Sequence, residues 1–277
     1  MLPRFKLRRD VITSESKFSR WLFTDLDGTL IPLEGDRENV EDLQRLKVLL
    51  DENQFGVAFV TGRHRESALS ALAEFDLPVP QWIISDVGTR VSQFVDNKAS
   101  CSDDFRGRLR MMTAGWDADR LLEGLSSFPD FKSLTLQEEE KLGEFKVSFY
   151  AQAKGVHELA DRLRQILSKL DAPFGIVSSV DPFTGDGLID FLPVGVDKAF
   201  ACRWLAEHLQ LQYDRDLVYA GDSGNDLAAL ISGCPGIVVG NASDSLKHQV
   251  AATKNVFVSS KRATSAIVDA LARGYSS

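Results

Sequence analysis

Asp25 and Asp27 stand two residues apart, after the apolar run Trp21-Leu22-Phe23 and just ahead of Gly28. Side chains two apart on a strand point the same way. The pair is therefore expected on one face at the carboxyl end of a strand, where open α/β sheets bind ligands. Two such carboxylates can hold a hard cation, attack phosphorus or divide acid and base roles. A hairpin in which Asp27-Gly28 is only a turn is the plainer alternative.

Three more polar islands follow. Thr61-Gly62-Arg63 comes after the apolar run ending at Val60, Val196-Asp197-Lys198 opens a helical segment, and Gly221-Asp222-Ser223-Gly224-Asn225-Asp226 follows the run ending at Ala220. Phosphoryl transfer needs mostly positioning and electrostatic stabilisation of the phosphoryl oxygens. Thr61 can supply a hydroxyl, Gly62 an unhindered amide and Lys198 a positive charge. Asp222 and Asp226, four apart, complete with Asp25 an oxygen-rich site suited to Mg²⁺. Each island alone could be a cap, a solvated lysine or a turn. All four, each at the end of an element, point to phosphoryl chemistry.

The elements that must carry these islands can be read from periodicity. Residues 37–50 have helical spacing, 55–60 form an apolar strand, 66–75 a helix and 81–85 a short strand, the rhythm of a parallel βαβ array. From Gly88 onward the pattern changes. Residues 90–95 and 144–150 alternate, as half-solvated antiparallel strands do, with helical stretches over 105–125 and 157–170 and strands over 175–180 and 187–192. After Gly195 the parallel rhythm returns, with helices over 198–209, 226–231, 246–251 and 264–272, and strands over 216–220, 236–240 and 256–258.

The composition excludes several functions. A chain of 277 residues, 44% hydrophobic and 26% charged, suits a soluble globule of one large or two smaller domains. No apolar run approaches the roughly 18 residues of a membrane span, so a cytoplasmic location is expected. A net charge of −8 argues against nucleic acid. The one basic cluster, Arg4, Lys6, Arg8 and Arg9, reads as a solvated N-terminal tail. Three cysteines and four histidines are scattered without zinc or redox spacing.

With these residues in this order, the chain resembles the haloacid dehalogenase superfamily of phosphotransferases. Asp25-Leu26-Asp27-Gly28-Thr29 matches the first motif, Thr61 the second, Lys198 the third and the Gly221 to Asp226 loop the fourth. The insertion between the second and third motifs resembles a C2B-type cap. The resemblance implies an α/β fold, with a Rossmann-like parallel-sheet core of residues 20–86 and 192–277 behind a tail of 1–19. An α+β cap over 87–191 would choose the substrate. It further implies Asp25 as the nucleophile of an aspartyl-phosphate mechanism and Asp27 as the acid and then the base. Thr61, Gly62 and Lys198 would hold phosphoryl oxygens. Asp25, the Asp27 carbonyl, Asp222 and Asp226 form the acidic set for Mg²⁺, with Ser223 and Asn225 supporting the loop.

Within the superfamily, Glu144 to Tyr150, Ser85 to Thr89 and the Gly221 loop are most similar to the sucrose-6-phosphate phosphatase group. This implies hydrolysis of sucrose 6-phosphate or a related glycoside phosphate, with Lys146 as a cap contact and Arg63 and Asn241 as further substrate contacts. Phosphatases of mannosylglycerate, mannosylfructose and trehalose phosphates share the core. A phosphomannomutase-type phosphohexomutase has a similar nucleophile motif and cap, and a non-catalytic sugar-phosphate sensor would keep the fold. The cap resemblance favours the hydrolase over the mutase, and the intact acids disfavour the sensor. The expected partners are a small-molecule sugar phosphate and the glycosyltransferase that makes it, with no nucleic acid and no membrane.

Overall fold

Apolar side chains of the central strands alternate between two faces, and each face needs its own cover. Trp21, Phe23, Ala58, Val60, Ile84 and Tyr219 enter one core, while Leu22, Val57, Phe59, Ile83 and Val218 enter another. The computed structural model describes residues 18–180 and 184–274. The basic run Arg4 to Arg9 lies outside them.

The strands β1 (Arg20–Thr24), β2 (Phe55–Val60), β3 (Trp82–Ser85), β4 (Arg90–Val95) and β5 (Lys98–Cys101) build one half of the main sheet. Helices α1 (Arg37–Glu52) and α2 (Arg65–Glu74) connect the first three, and α3 (Asp103–Met112) follows β5. Next come α4 (Ala118–Leu125), β6 (Thr135–Leu136), β7 (Val147–Ala151), α5 (Val156–Leu170), β8 (Phe174–Val180) and β9 (Gly187–Pro193). The other half of the core is α6 (Lys198–His208), β10 (Leu217–Gly221), α7 (Leu227–Leu230), β11 (Gly236–Val238), α8 (Asp244–Val250), β12 (Val256–Val258) and α9 (Ala263–Ala272).

The main sheet has eight strands in the order β12-β11-β10-β1-β2-β3-β4-β5. The six from β12 to β3 are parallel and the β4–β5 hairpin is antiparallel. Helices α1 and α2, with Ile267, Ala270 and Leu271 of α9, cover one face; α3 and α6 cover the other. A second, four-stranded antiparallel sheet, β6-β7-β9-β8, shares a separate core with α4 and α5. This is the α/β fold with an α+β insertion that the periodicity describes.

Three details differ from the sequence reading. First, β1 stops at Thr24, and residues Leu26–Leu30 form a tight turn with Gly28 at φ +70°. Asp25 and Asp27 therefore do not share a strand face. A Cβ on Gly28 would lie 2.4 Å from Asp222 Oδ2, so any other residue here would both strain the backbone and displace the Asp222 carboxylate. Second, the helical stretch over 105–125 is two helices. Ala114 and Gly115 both have positive φ, and Asp117 starts α4 by accepting from the Arg120 amide at 3.0 Å. Third, the rhythm changes at Gly88, yet β4 and β5 extend the main sheet, and Phe105 and Leu109 of α3 pack into its core.

The two units meet at residues 143–146. Glu144 takes Arg110 Nε at 2.7 Å, and Phe145 enters the main core. A cavity of about 210 Å³ remains beside them, lined by Arg90, Cys101, Phe105, Arg106, Glu144 and Phe145 among others. Cys101 is exposed, whereas Cys202 and Cys234 are buried and burial pushes both of their thiols up. No helix among the described residues is long and apolar enough to cross a membrane.

Candidate active site

Parallel pairing sets Thr24 beside both Phe59 and Ala220, and Val60 beside Ile84. The residues that follow these strands, Asp25, Thr61, Asp86 and Asp222, consequently emerge along one edge of the sheet.

Asp25 is fixed by its own amide, which donates to the Ala220 carbonyl at 2.9 Å. The residue is 5% exposed. Lys198, fully buried at the first turn of α6, donates to Asp25 Oδ1 at 2.9 Å and to Asp226 Oδ1 at 2.7 Å. Asp197 holds that turn by accepting from the Phe200 amide at 2.8 Å. Burial opposes the charge on Lys198, but Asp226 and Asp25 outweigh it and keep the ammonium well above its usual range.

The carboxylates respond differently. Burial pushes Asp25 up to about 8, aided by repulsion from Asp226 and Asp222 and opposed by Lys198. Asp222 rises to about 6, through burial and the charge of Asp226. Oxygens of Asp25, Asp222 and Asp226 lie within 4.8 Å of one another. One ammonium among three carboxylates leaves excess negative charge, and a hard divalent cation with oxygen ligands fits that donor set.

Within this set Asp226 has a distinct place. Its Oδ1 accepts from Lys198 and from the Tyr219 hydroxyl at 2.6 Å; its Oδ2 accepts from the amides of Asp222 and Ser223 at 3.1 and 3.0 Å. The Ser223 hydroxyl lies 3.0 Å from Asp226 Oδ2 and 2.9 Å from Asn225 Oδ1. Both oxygens of Asp226 are thus engaged by protein donors, which ties the loop together. Tyr219 was not visible as a site residue in the sequence. The available signal is a phenol inside an otherwise apolar strand, since a buried tyrosine hydroxyl needs a partner.

Thr61 is buried, with its amide on the Ile84 carbonyl and its Oγ1 accepting from the Arg63 amide at 3.1 Å. A Cβ on Gly62 would make ordinary van der Waals contact with Asn225 Nδ2 at 3.8 Å and Val87 Cγ2 at 3.9 Å, so Gly62 packs beside the Gly221 loop without crowding it. The Arg63 guanidinium forks onto Asp27.

Asn241, expected as a substrate contact, has both ends of its amide on backbone groups. Its Nδ2 donates to the Gly28 carbonyl at 2.7 Å and its Oδ1 accepts from the Ala263 amide at 2.8 Å. Both ends of the amide brace the Gly28 turn against α9. Lys146 is 6% exposed at the junction, with Nζ 3.3 Å from the Lys141 carbonyl and 3.8 Å from Asp190. Val147, Phe149, Ile189 and Phe191 point into the second core. The opposite face of that sheet therefore carries Lys146, Ser148 and Asp190.

Asp86 is buried in the left-handed turn that leaves β3, and its Oδ1 has no hydrogen-bond partner. Its Oδ2 lies 3.0 Å from the Ser85 hydroxyl and 3.4 Å from Arg90 Nε. Burial raises its pKa against the charges of Arg90 and Lys146, so the junction lysine lies within electrostatic reach of this turn.

Comparison with known proteins adds to the geometry. Residues 18–274 match the sucrose-6F-phosphate phosphohydrolase family. A HAD-like hydrolase of Nitrosococcus oceani is 35% identical over 82% of this chain, which spans 61% of that protein's length. The mannosylfructose-phosphate phosphatase of Agrobacterium fabrum is 28% identical over 83% of this chain and 88% of its own. Among solved structures, the sucrose-phosphatase of Synechocystis sp. PCC6803, in complex with sucrose and phosphate, shares the fold. Its TM-score is 0.72 at 23% identity, covering 92% of this chain and 98% of that one.

Proposed function

The chain belongs to the sucrose-6F-phosphate phosphohydrolase family, and on that premise we propose that it is a Mg²⁺-dependent phosphatase of a sugar phosphate. The observation that carries this reading is Asp25: a buried carboxylate at a strand end, 2.9 Å from a buried lysine and grouped with Asp222. The leaving group we favour is sucrose or a related glycoside, supported by the family match and by the activity named for the Agrobacterium relative.

In this mechanism an Asp25 oxygen attacks phosphorus while the bond to the sugar oxygen breaks, and Asp27 gives that oxygen its proton. Water then attacks the aspartyl-phosphate, passing a proton to Asp27 as the bond to Asp25 breaks and phosphate leaves. Lys198 holds Asp25 in line, while Thr61 and the Gly62 amide donate to phosphoryl oxygens. Mg²⁺, held by Asp25, the Asp27 carbonyl and Asp222, would supply the charge that neutralises those oxygens. Asp226 acts as a positioning residue for Lys198 and the loop. The insertion serves as a cap, presenting Lys146 to the substrate.

Phosphate release should be measured across monosaccharide and disaccharide phosphates with Mg²⁺. Wild type should release phosphate from a glycoside phosphate, and Asp25→Asn should lose at least about 10³-fold in turnover while unfolding at or above the wild-type temperature. Near-wild-type turnover by Asp25→Asn would overturn the nucleophile. Isomerisation that requires a bisphosphate activator and frees no phosphate would replace the phosphatase with a mutase.

A further inference from the structure

Asp27, which should exchange a proton with the leaving group, has both carboxylate oxygens held by Arg63. Arg63 Nη2 donates to Asp27 Oδ1 at 2.6 Å and Nε to Oδ2 at 2.8 Å, while Nη1 reaches Ser67 Oγ at 3.2 Å. The fork occupies both carboxylate oxygens of Asp27, whose side chain is 58% exposed within the Leu26–Leu30 turn.

Arg63 also belongs to the phosphoryl side of the site. Its backbone amide is bonded to Thr61 Oγ1. Its guanidinium is held charged chiefly by the Asp27 hydrogen bond, against burial, and the charge of Asp25 reaches it as well. The buried cation Lys198 is already committed to two carboxylates. A phosphoryl dianion arriving beside Asp25 and Thr61 therefore attracts the next guanidinium, and a planar fork fits phosphate as well as carboxylate.

We propose that Arg63 exchanges partners, releasing Asp27 and taking the substrate's phosphoryl group, so that Asp27 is freed to turn inward only when a phosphomonoester is in place. The proposal rests on the phosphatase reading and adds to it a coupling between binding and delivery of the acid. Asp27 and phosphate are then competitors for one side chain.

Inorganic phosphate titrated calorimetrically into the Mg²⁺-loaded full chain tests this with Arg63→Gln, Asp27→Asn and the double variant. Arg63→Gln should bind phosphate about tenfold more weakly than wild type, a loss on the scale of a charge-assisted hydrogen bond. Asp27→Asn should bind about tenfold more tightly, and in the Arg63→Gln background the same change should gain less than about threefold. Equal gains in the two backgrounds would mean that Asp27 acts only by its charge, and would overturn the exchange. So would an Arg63→Gln protein that binds phosphate like wild type, the result expected if Arg63 only positions Asp27. Wild type that neither binds phosphate nor hydrolyses p-nitrophenyl phosphate would overturn the phosphatase reading along with it; binding without coupling overturns this proposal alone.

Discussion

Asp25 illustrates how burial and a catalytic charge pull against each other. A carboxyl whose folded pKa lies above its unfolded one keeps a proton that the unfolded chain gives up, so stability falls as pH rises between the two. For Asp25 that interval runs from 3.8 to about 8, and for Asp222 from 3.8 to about 6. Metal-free protein should therefore lose on the order of a few kcal/mol between pH 5 and pH 8. Mg²⁺ should raise the unfolding temperature more at pH 8 than at pH 5, and Asp25→Asn should flatten the metal-free slope. Thermal unfolding with and without chelator measures all three, and a pH-independent melting temperature would refute the electrostatic account. At this scale the residue types were legible in the sequence: the carboxylates and Thr61 are conspicuous at the ends of apolar runs, and Lys198 at the start of a helix. Their partners were not. That Asn241 braces a turn, or that Asp226 accepts from Tyr219, depends on contacts between segments far apart in the chain.

Among the elements, the turn from β3 into β4 is the most constrained. Asp86, Val87 and Gly88 all have positive φ, which a β-branched residue such as Val87 seldom adopts. Val87 donates to the Thr61 carbonyl at 3.3 Å, so the turn is bonded to the second island. At Gly88, with φ +96°, an added Cβ would lie 2.3 Å from the Asp197 carbonyl oxygen and 2.9 Å from the Lys198 amide. Gly88→Ala is expected to cost more than about 2 kcal/mol and to reduce turnover at least about tenfold by displacing Lys198. Urea unfolding and phosphate release check both effects, and a variant matching wild type in each would show that α6 yields freely. Parallel strands and amphipathic helices were readable because their periodicities persist for several turns. The end of β1 was not, because the turn that stops it depends on Gly28 lying against Asp222, almost two hundred residues later.

At the scale of the whole molecule, two sheets with separate cores meet at residues 143–146. The polar face of the smaller sheet carries Lys146 and Ser148, both buried, and the half-buried Asp190; on the proposed reading this face contacts the leaving group. Lys146→Ala should accordingly lower kcat/KM for a disaccharide phosphate at least about tenfold and leave p-nitrophenyl phosphate, which has no sugar, much less affected. Equal losses on both substrates would place Lys146 with the phosphoryl group and not the sugar. The insertion itself was visible as a change of rhythm from parallel to alternating strands. Its attachment was less so, because the β4–β5 hairpin alternates like the inserted strands yet pairs with the main sheet.

The three thiols give this junction a built-in optical handle. Cys202 and Cys234 are buried, while Cys101 is exposed at the edge of the cavity between the hairpin and the Glu144 loop. A maleimide dye should attach to Cys101 alone in the native chain. Its emission would then report, in real time and without any substitution, whether the two units separate when substrate enters and products leave.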